Sequence, residues 1–260
     1  MFILLPPSEG KTAPRSGRPL DLTTLSADEL TKPRSAMITA LTSFCQDKPA
    51  QAREALGVSL ANDHLRAVTA NLAQEPTAAA RAIYTGVLYD HLDLSNADVS
   101  TRRRATRQVR VFSALFGVLT LADRVPAYRL NADSSLPGIG RVSSYWRPYL
   151  TEVLPTVFKR RLVIDMRSSS YVAMWKPSSE LRDHVLTVKI WQRGPGGSRT
   201  AVSHFSKATK GEVARTLIEL PDEPRSVDEV VAGCASAGWN VDVSDTPSGP
   251  RLDVLIDPSL

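Results

Sequence analysis

The chain has 260 residues, 42% hydrophobic and 23% charged, with a formal net charge of +5. That length can bury a large core, and that balance is ordinary for a globular protein, so wholesale disorder is excluded. Cys45 and Cys234 lie far apart and the four histidines are scattered, so neither a disulfide scaffold nor a zinc site is expected, and no metal or cofactor.

The positive balance permits anionic partners without demanding one. The apolar start Met-Phe-Ile-Leu-Leu stops at Pro6-Pro7, too short for a signal peptide. No segment approaches the roughly 20 apolar residues of a spanning helix. A cytoplasmic protein with no membrane partner is expected.

In chain order, residues 2–5 read as a buried strand, followed by a Pro/Gly-rich loop over 6–20. Helices are predicted from Ser26 to Ala73, with Ser26 and Glu29 spaced as a capping box and Pro49 suited to a first turn. Gly57-Val58-Ser59 separates two short helices, about 49–56 and 60–73, and another helix is expected over 77–83. Residues 101–110 hold five arginines, and helical periodicity places Arg103, Arg107 and Arg110 on one face.

Val111–Leu121 reads as core broken at Gly117, and a helix is expected from about Tyr145 to Phe158. Leu162–Met166 reads as a strand. His184–Gln192 and Arg199–Phe205 read as paired strands around Gly194-Pro195-Gly196-Gly197. Helices over Lys207–Leu220 and Ser226–Ala237 precede a hairpin of Trp239–Ser244 with Arg251–Ile256. The pattern predicts an α+β fold: a single compact domain over 1–260 with a central sheet, surrounding helices and a helix–hairpin–helix-like element.

Three polar clusters stand beside predicted strand ends. The first is Pro7-Ser8-Glu9-Gly10-Lys11-Thr12. A phosphate-binding P-loop needs a glycine where Leu5 stands, and a following helix that Pro14, Gly17 and Pro19 oppose. The nucleotide-triphosphatase reading fails, leaving either a functional strand-end loop or a solvated turn.

The second cluster is Asp165-Met166-Arg167-Ser168-Ser169-Ser170-Tyr171. A guanidinium among hydroxyls suits an oxyanion; the alternative is a serine-rich helix cap. The third runs from Ser203-His204-Phe205 through Ser206, Lys207 and Lys210 to Gly211. It is either an anion cradle at a helix start, with a lysine able to act as base, or a set of solvated lysines.

Tyr84-Thr85-Gly86 adds a phenol and a hydroxyl, and Arg129 sits among apolar neighbours. An unpaired charge there is costly, so Arg129 needs a protein carboxylate or a ligand. The candidate catalytic residues are therefore Lys11, Lys207 and Tyr84. The candidate anion ligands are Ser8, Thr85, Arg129, Arg167, Ser168, Tyr171, Ser206 and Lys210.

The helix, Gly57-Val58-Ser59, helix arrangement suggests a hairpin whose amides grip a DNA phosphate; an ordinary helical turn is the alternative. Its usual form has a second glycine where Ser59 stands. The run Arg102–Arg110 could neutralise phosphates or form a solvated face paired with acids such as Asp93 and Asp98.

Several longer stretches, in order, resemble the YaaA family of bacterial peroxide-stress proteins. They are Leu5–Thr12, Ile83–Tyr89, Phe112–Leu119, Val125–Leu130, Ser144-Tyr145-Trp146, Val163–Tyr171, and Val202–Lys207 with Lys210-Gly211. The resemblance implies a compact mixed fold, a cytoplasmic setting and a role in surviving hydroperoxide by limiting iron-dependent damage. It also implies duplex-DNA binding through a helix–hairpin–helix element. Glu9 and Gly10 stand where some relatives carry Pro and Ala.

The leading expectation is thus a peroxide-stress protein that binds duplex DNA non-specifically through Gly57, Val58, Ser59, Arg103, Arg107 and Arg110. The alternative is an enzyme acting on a small anionic, nucleotide-like substrate in a pocket lined by Ser, Lys, Arg and Tyr side chains. Direct iron handling finds no recognisable ligand set.

Overall fold

The computed structural model describes residues 1–194, 198–201 and 205–257. The first strand, β1 (Phe2–Leu5), leads into α1 (Thr31–Asp47), α2 (Pro49–Ala55) and α3 (His64–Ala70). Next come the two-residue strand β2 (Ala78–Ala79) and helices α4 (Ala80–Ile83), α5 (Val87–Leu92) and α6 (Val99–Gln108). The chain returns as the hairpin β3 (Val109–Ser113) and β4 (Gly117–Leu119), then adds β5 (Arg124–Val125), β6 (Ser135–Leu136) and β7 (Gly140–Arg141). Helix α7 (Val142–Phe158), β8 (Val163–Asp165), α8 (Ser169–Val172) and β9 (Val185–Arg193) follow. Last are β10 (Arg199–Ala201), α9 (Phe205–Glu219), α10 (Val227–Ser236), β11 (Asn240–Thr246) and β12 (Gly249–Ile256).

The main sheet runs β11-β12-β9-β8-β1-β3-β4, with β10 paired to β9. Its interior is parallel: β1 pairs with β3 and β8, β8 with β9, and β9 with β12. Antiparallel partners close the margins at β3–β4, β9–β10 and β11–β12. Every residue of β1 is buried, which is why it is an unbroken apolar run instead of an alternating one. A mixed sheet surrounded by helices is the α+β arrangement the sequence predicts.

From β1 the chain reaches β3 on one side and later places β8 on the other. The loops leaving the carboxyl ends of β1 and β8 therefore diverge, and such switch points form crevices in sheets with parallel strands. The outer side of β4 is sealed from α1 by buried Arg34, which donates to the carbonyls of Phe116 (3.0 Å) and Val118 (2.9 Å). Gly117 turns the β3–β4 hairpin at φ +75°, and a Cβ there would stand 2.9 Å from the Trp146 ring. Only glycine meets both conditions.

Local expectations fail where a tertiary partner intervenes. Ser26 does not cap a helix: its N–H and hydroxyl both bond Asp123, and α1 starts at Thr31. The predicted helix over 77–83 shrinks to Ala80–Ile83 because Ala78–Ala79 pairs with β5. Arg110 leaves the arginine helix altogether. It lies in β3 opposite Leu4, and its guanidinium stacks 4.8 Å from the Phe2 ring centroid. Half of the predicted Ser226–Glu229 box forms: Ser226 Oγ accepts from Glu229 N at 3.2 Å, but the Glu229 carboxylate accepts from Arg225 N at 2.8 Å instead of from Ser226 N. Pro195–Gly197 of the predicted turn, Val202 of the predicted strand, and Ser203 and His204 of the third cluster lie outside the described residues.

Candidate functional site

Two hollows open side by side where β1 and β8 end. The first, about 290 Å³, is walled by Pro6–Glu9, Arg129, Asn131, Ser168, Tyr171, Ser206, Lys207 and Lys210, with Leu88, Leu130 and Met166 as its apolar part. The second, about 260 Å³, shares Pro6–Glu9, Leu88 and Lys207, and is otherwise lined by Gly10, Thr85, Gly86, Val87 and Tyr89. A cationic lobe thus adjoins a mainly apolar one. Each is near the lower end of the size range of small-molecule sites, roughly 300–1,000 Å³.

Local bonds hold the walls. Ser8 Oγ accepts from Thr85 N at 3.0 Å, Thr12 N donates to Ile83 O at 2.9 Å, and Tyr89 hydroxyl donates to Pro6 O at 2.7 Å. These bonds fasten the loop after β1 to the turn between α4 and α5. Helix α9 comes unusually close to α5: a Cβ on Gly211 would lie 2.3 Å from Leu88 O. That contact sets Lys207 and Lys210 beside the loop. Lys210 Nζ donates to Met166 O at 3.0 Å, and burial lowers its pKa against the opposing pull of Asp165.

Arg129 enters from the segment after β5. Its Nε donates to Leu56 O at 3.1 Å, its backbone N–H to Thr69 Oγ1 at 3.0 Å, and its Nη2 pairs with the Glu9 carboxylate. The hydrogen bond from Arg129, followed by its charge, holds the Glu9 carboxyl below its ordinary range, and Lys207 and Lys11 add to the effect.

Lys11 does not wall the cleft. Its ammonium turns back to donate to Ser8 O at 2.8 Å and lies 4.4 Å from the Tyr128 ring centroid and 5.7 Å from that of Tyr84. Burial, then the charge of Arg129, lowers its pKa to about 7, with Glu9 opposing. Tyr84, expected as a catalytic candidate, is buried. Its hydroxyl meets that of Tyr128 at 3.0 Å, and Tyr128 in turn meets Ser113 Oγ at 2.7 Å. Burial raises both phenols well above their usual range, so both stay protonated near neutrality.

Arg167, expected as an anion ligand, is engaged within the protein. Its Nε and Nη2 donate to the Asp165 carboxylate at 2.9 and 2.7 Å. Nη1 and Nη2 further donate to the carbonyls of Tyr171 and Trp175, each at 3.1 Å. The guanidinium stacks 4.2 Å from the Phe112 ring centroid and is fully buried. It shapes the loop from beneath, and Ser168 is the member of that cluster exposed at the cleft.

Eight candidates fall on the two hollows: Ser8, Thr85, Arg129, Ser168, Tyr171, Ser206, Lys207 and Lys210. Sequence reasoning missed Asn131, which no motif marks, and Tyr128, whose part is visible only as the platform under Lys11.

The Gly57–Ser59 turn does connect α2 to α3, through the short helical turn Leu60–Asn62. Gly57 takes φ +59°, but its N–H bonds Glu54 O and that of Val58 bonds Arg53 O, so both amides finish α2. Val58 is buried, whereas Ser59 is exposed. Arg103 and Arg107 are exposed on α6. Asp98 caps that helix, its carboxylate accepting from Thr101 N at 2.8 Å.

A family model described as peroxide stress protein YaaA matches residues 1–243. Among curated relatives, a UPF0246 protein of Streptomyces coelicolor is 40% identical, covering 98% of each chain. A UPF0246 protein of Corynebacterium efficiens is 36% identical, covering 94% of this chain and 96% of its own. An uncharacterized protein of Campylobacter jejuni is 24% identical over 81% of this chain and 82% of its own. With the motif-bearing loops gathered at one crevice and the match running through nearly the whole fold, this chain belongs to the YaaA family of peroxide stress proteins.

Proposed function

We propose that this protein serves its family's peroxide-stress role, in the cytoplasm, by binding a small anionic, nucleotide-like ligand in the cleft beyond β1 and β8. The observation that carries this reading is convergence. Arg129, Lys207 and Lys210 come from two distant segments and share one hollow with Ser8, Ser168 and Ser206. Guanidinium, ammonium and hydroxyl donors around a concavity suit a phosphate, and the adjoining lobe of Pro6, Pro7, Val87 and Leu88 suits a flat apolar group attached to it. Of the candidate catalytic groups, Lys207 alone lines the cleft.

Calorimetric titration with adenosine monophosphate and with adenosine tests the reading. The nucleotide is expected to bind and the nucleoside to bind far more weakly. Arg129→Met and Lys207→Met should each weaken the nucleotide about tenfold or more, the scale of a lost charged hydrogen bond. A folded protein that takes up neither compound would sink it.

Non-specific duplex-DNA binding is the second reading, supported by the exposed pair Arg103 and Arg107, one turn apart on α6. Exposed Ser59 can add a phosphate contact; Gly57, Val58 and Arg110 are engaged within the protein as described. Anisotropy of a labelled duplex should show affinity falling steeply with salt and weakened by Arg103→Gln with Arg107→Gln. Binding indifferent to salt and to both substitutions would remove this reading.

A further inference from the structure

Two arginine–carboxylate pairs flank the cleft, and they are built differently. Asp165–Arg167 is sealed, with side chains 6% and 0% exposed. Its members satisfy each other and nearby carbonyls, so it belongs to the framework. Glu9–Arg129 is open: the Glu9 side chain is 73% exposed and that of Arg129 19%.

Arg129 has anchors besides the Glu9 carboxylate, and its Nη1 also donates to the Glu9 backbone carbonyl at 3.5 Å. Leu56 O holds its Nε, and Thr69 Oγ1 holds its backbone N–H. Glu9, by contrast, sits in the fields of three cations, Arg129, Lys207 and Lys11, and is itself part of the cleft wall. An exposed carboxylate in a cationic hollow occupies the place an incoming anion would take. Exposed ion pairs are weakly held, so it can be displaced.

We infer that the Glu9 carboxylate is a resident stand-in for the ligand's anionic group, and that a phosphate monoester binds Arg129 by displacing it. This rests on the reading of the cleft as a small-anion site and adds a selection rule to it. A ligand must outcompete a tethered carboxylate for the same cations. A phosphate dianion, with more charge and three acceptor oxygens, can do so. A free carboxylate brings the same charge and the same two oxygens as Glu9, without the advantage of the tether. Glu9 thus biases the site towards phosphate.

The test is calorimetric titration of wild type and Glu9→Gln with inorganic phosphate and with acetate at pH 8, where phosphate is largely dianionic. Glu9→Ala serves as a second variant, and circular dichroism confirms folding. Both variants are expected to bind phosphate more tightly than wild type, by up to about fivefold, the upper end of the range of an exposed ion pair. Acetate binding should become detectable only in the variants. Unchanged or weakened phosphate affinity in both variants, with wild-type binding intact, overturns the stand-in role and leaves the cleft reading in place. If no form of the protein binds phosphate, the stand-in role and the cleft reading fall together.

Discussion

The phenolic hydroxyls of Tyr84 and Tyr128 stand 3.0 Å apart in the interior, and Ser113 Oγ lies 2.7 Å beyond the second. Ser113 also accepts from Leu115 N at 3.2 Å and Phe116 N at 3.0 Å, so the chain of bonds ties the β3–β4 turn to the floor beneath Lys11. Tyr128→Phe removes the middle hydroxyl and leaves that of Tyr84 without this partner. Urea unfolding should show a loss of about 1–3 kcal/mol, the cost of a buried unsatisfied polar group. No loss would mean the chain is incidental.

The Asp165–Arg167 pair makes a larger prediction. Arg167→Met strands a buried carboxylate and should cost about 3–5 kcal/mol. Burial raises the Asp165 pKa, but the charge and hydrogen bonds of Arg167 outweigh it and leave it lowered. A lowered folded-state pKa gives stability that is present above the ordinary aspartate range, near 3.9, and lost as pH falls through the folded value. Wild type should therefore lose this contribution only in acid, whereas Arg167→Met is already weakened at pH 7. Equal stability of the two proteins at pH 7 would contradict this account.

Lys11 carries a signature that can be measured directly. With its pKa lowered to about 7, its methylated amine should titrate in a ¹³C NMR experiment well below the ordinary lysine value of roughly 10.4. Because Arg129 lowers it and Glu9 raises it, Arg129→Gln should move the midpoint up and Glu9→Gln should move it down. Since folding disfavours the charged form, the stability cost should grow as pH falls from the ordinary lysine range towards 7, then level off. A midpoint near the ordinary value in all three proteins would show that the ammonium is solvated.

Cys45 and Cys234 are buried free thiols, and burial pushes each up to about 11. Peroxide reacts with thiolates, so both should resist oxidation while the fold is intact. Mass spectrometry after hydrogen peroxide and a sulfenic-acid trap is expected to find neither modified in the native protein. Modification of Cys45 or Cys234 in folded protein would indicate thiol sensing.

Several features were legible in the sequence because their causes are local. An unbroken apolar Phe2–Leu5 must be buried on both faces, and Ser226 can cap the helix start through Glu229 N, three residues on. Ser8, Lys207 and Lys210 stood out because chemistry-bearing side chains had gathered beside strand ends. Which of those side chains remain available was not legible. Arg129 and Arg167 both read as cations seeking an anion, yet only the folded chain sets Asp165 fully against Arg167 and leaves Arg129 with an exposed glutamate. Likewise, Tyr84 and Lys11 read as surface chemistry until Tyr128 and Ser113 arrived from distant segments. Residue type and spacing determine which elements form; long-range packing decides which polar groups bond one another and which are left facing the cleft, because a buried donor or acceptor takes whatever partner folding brings within reach.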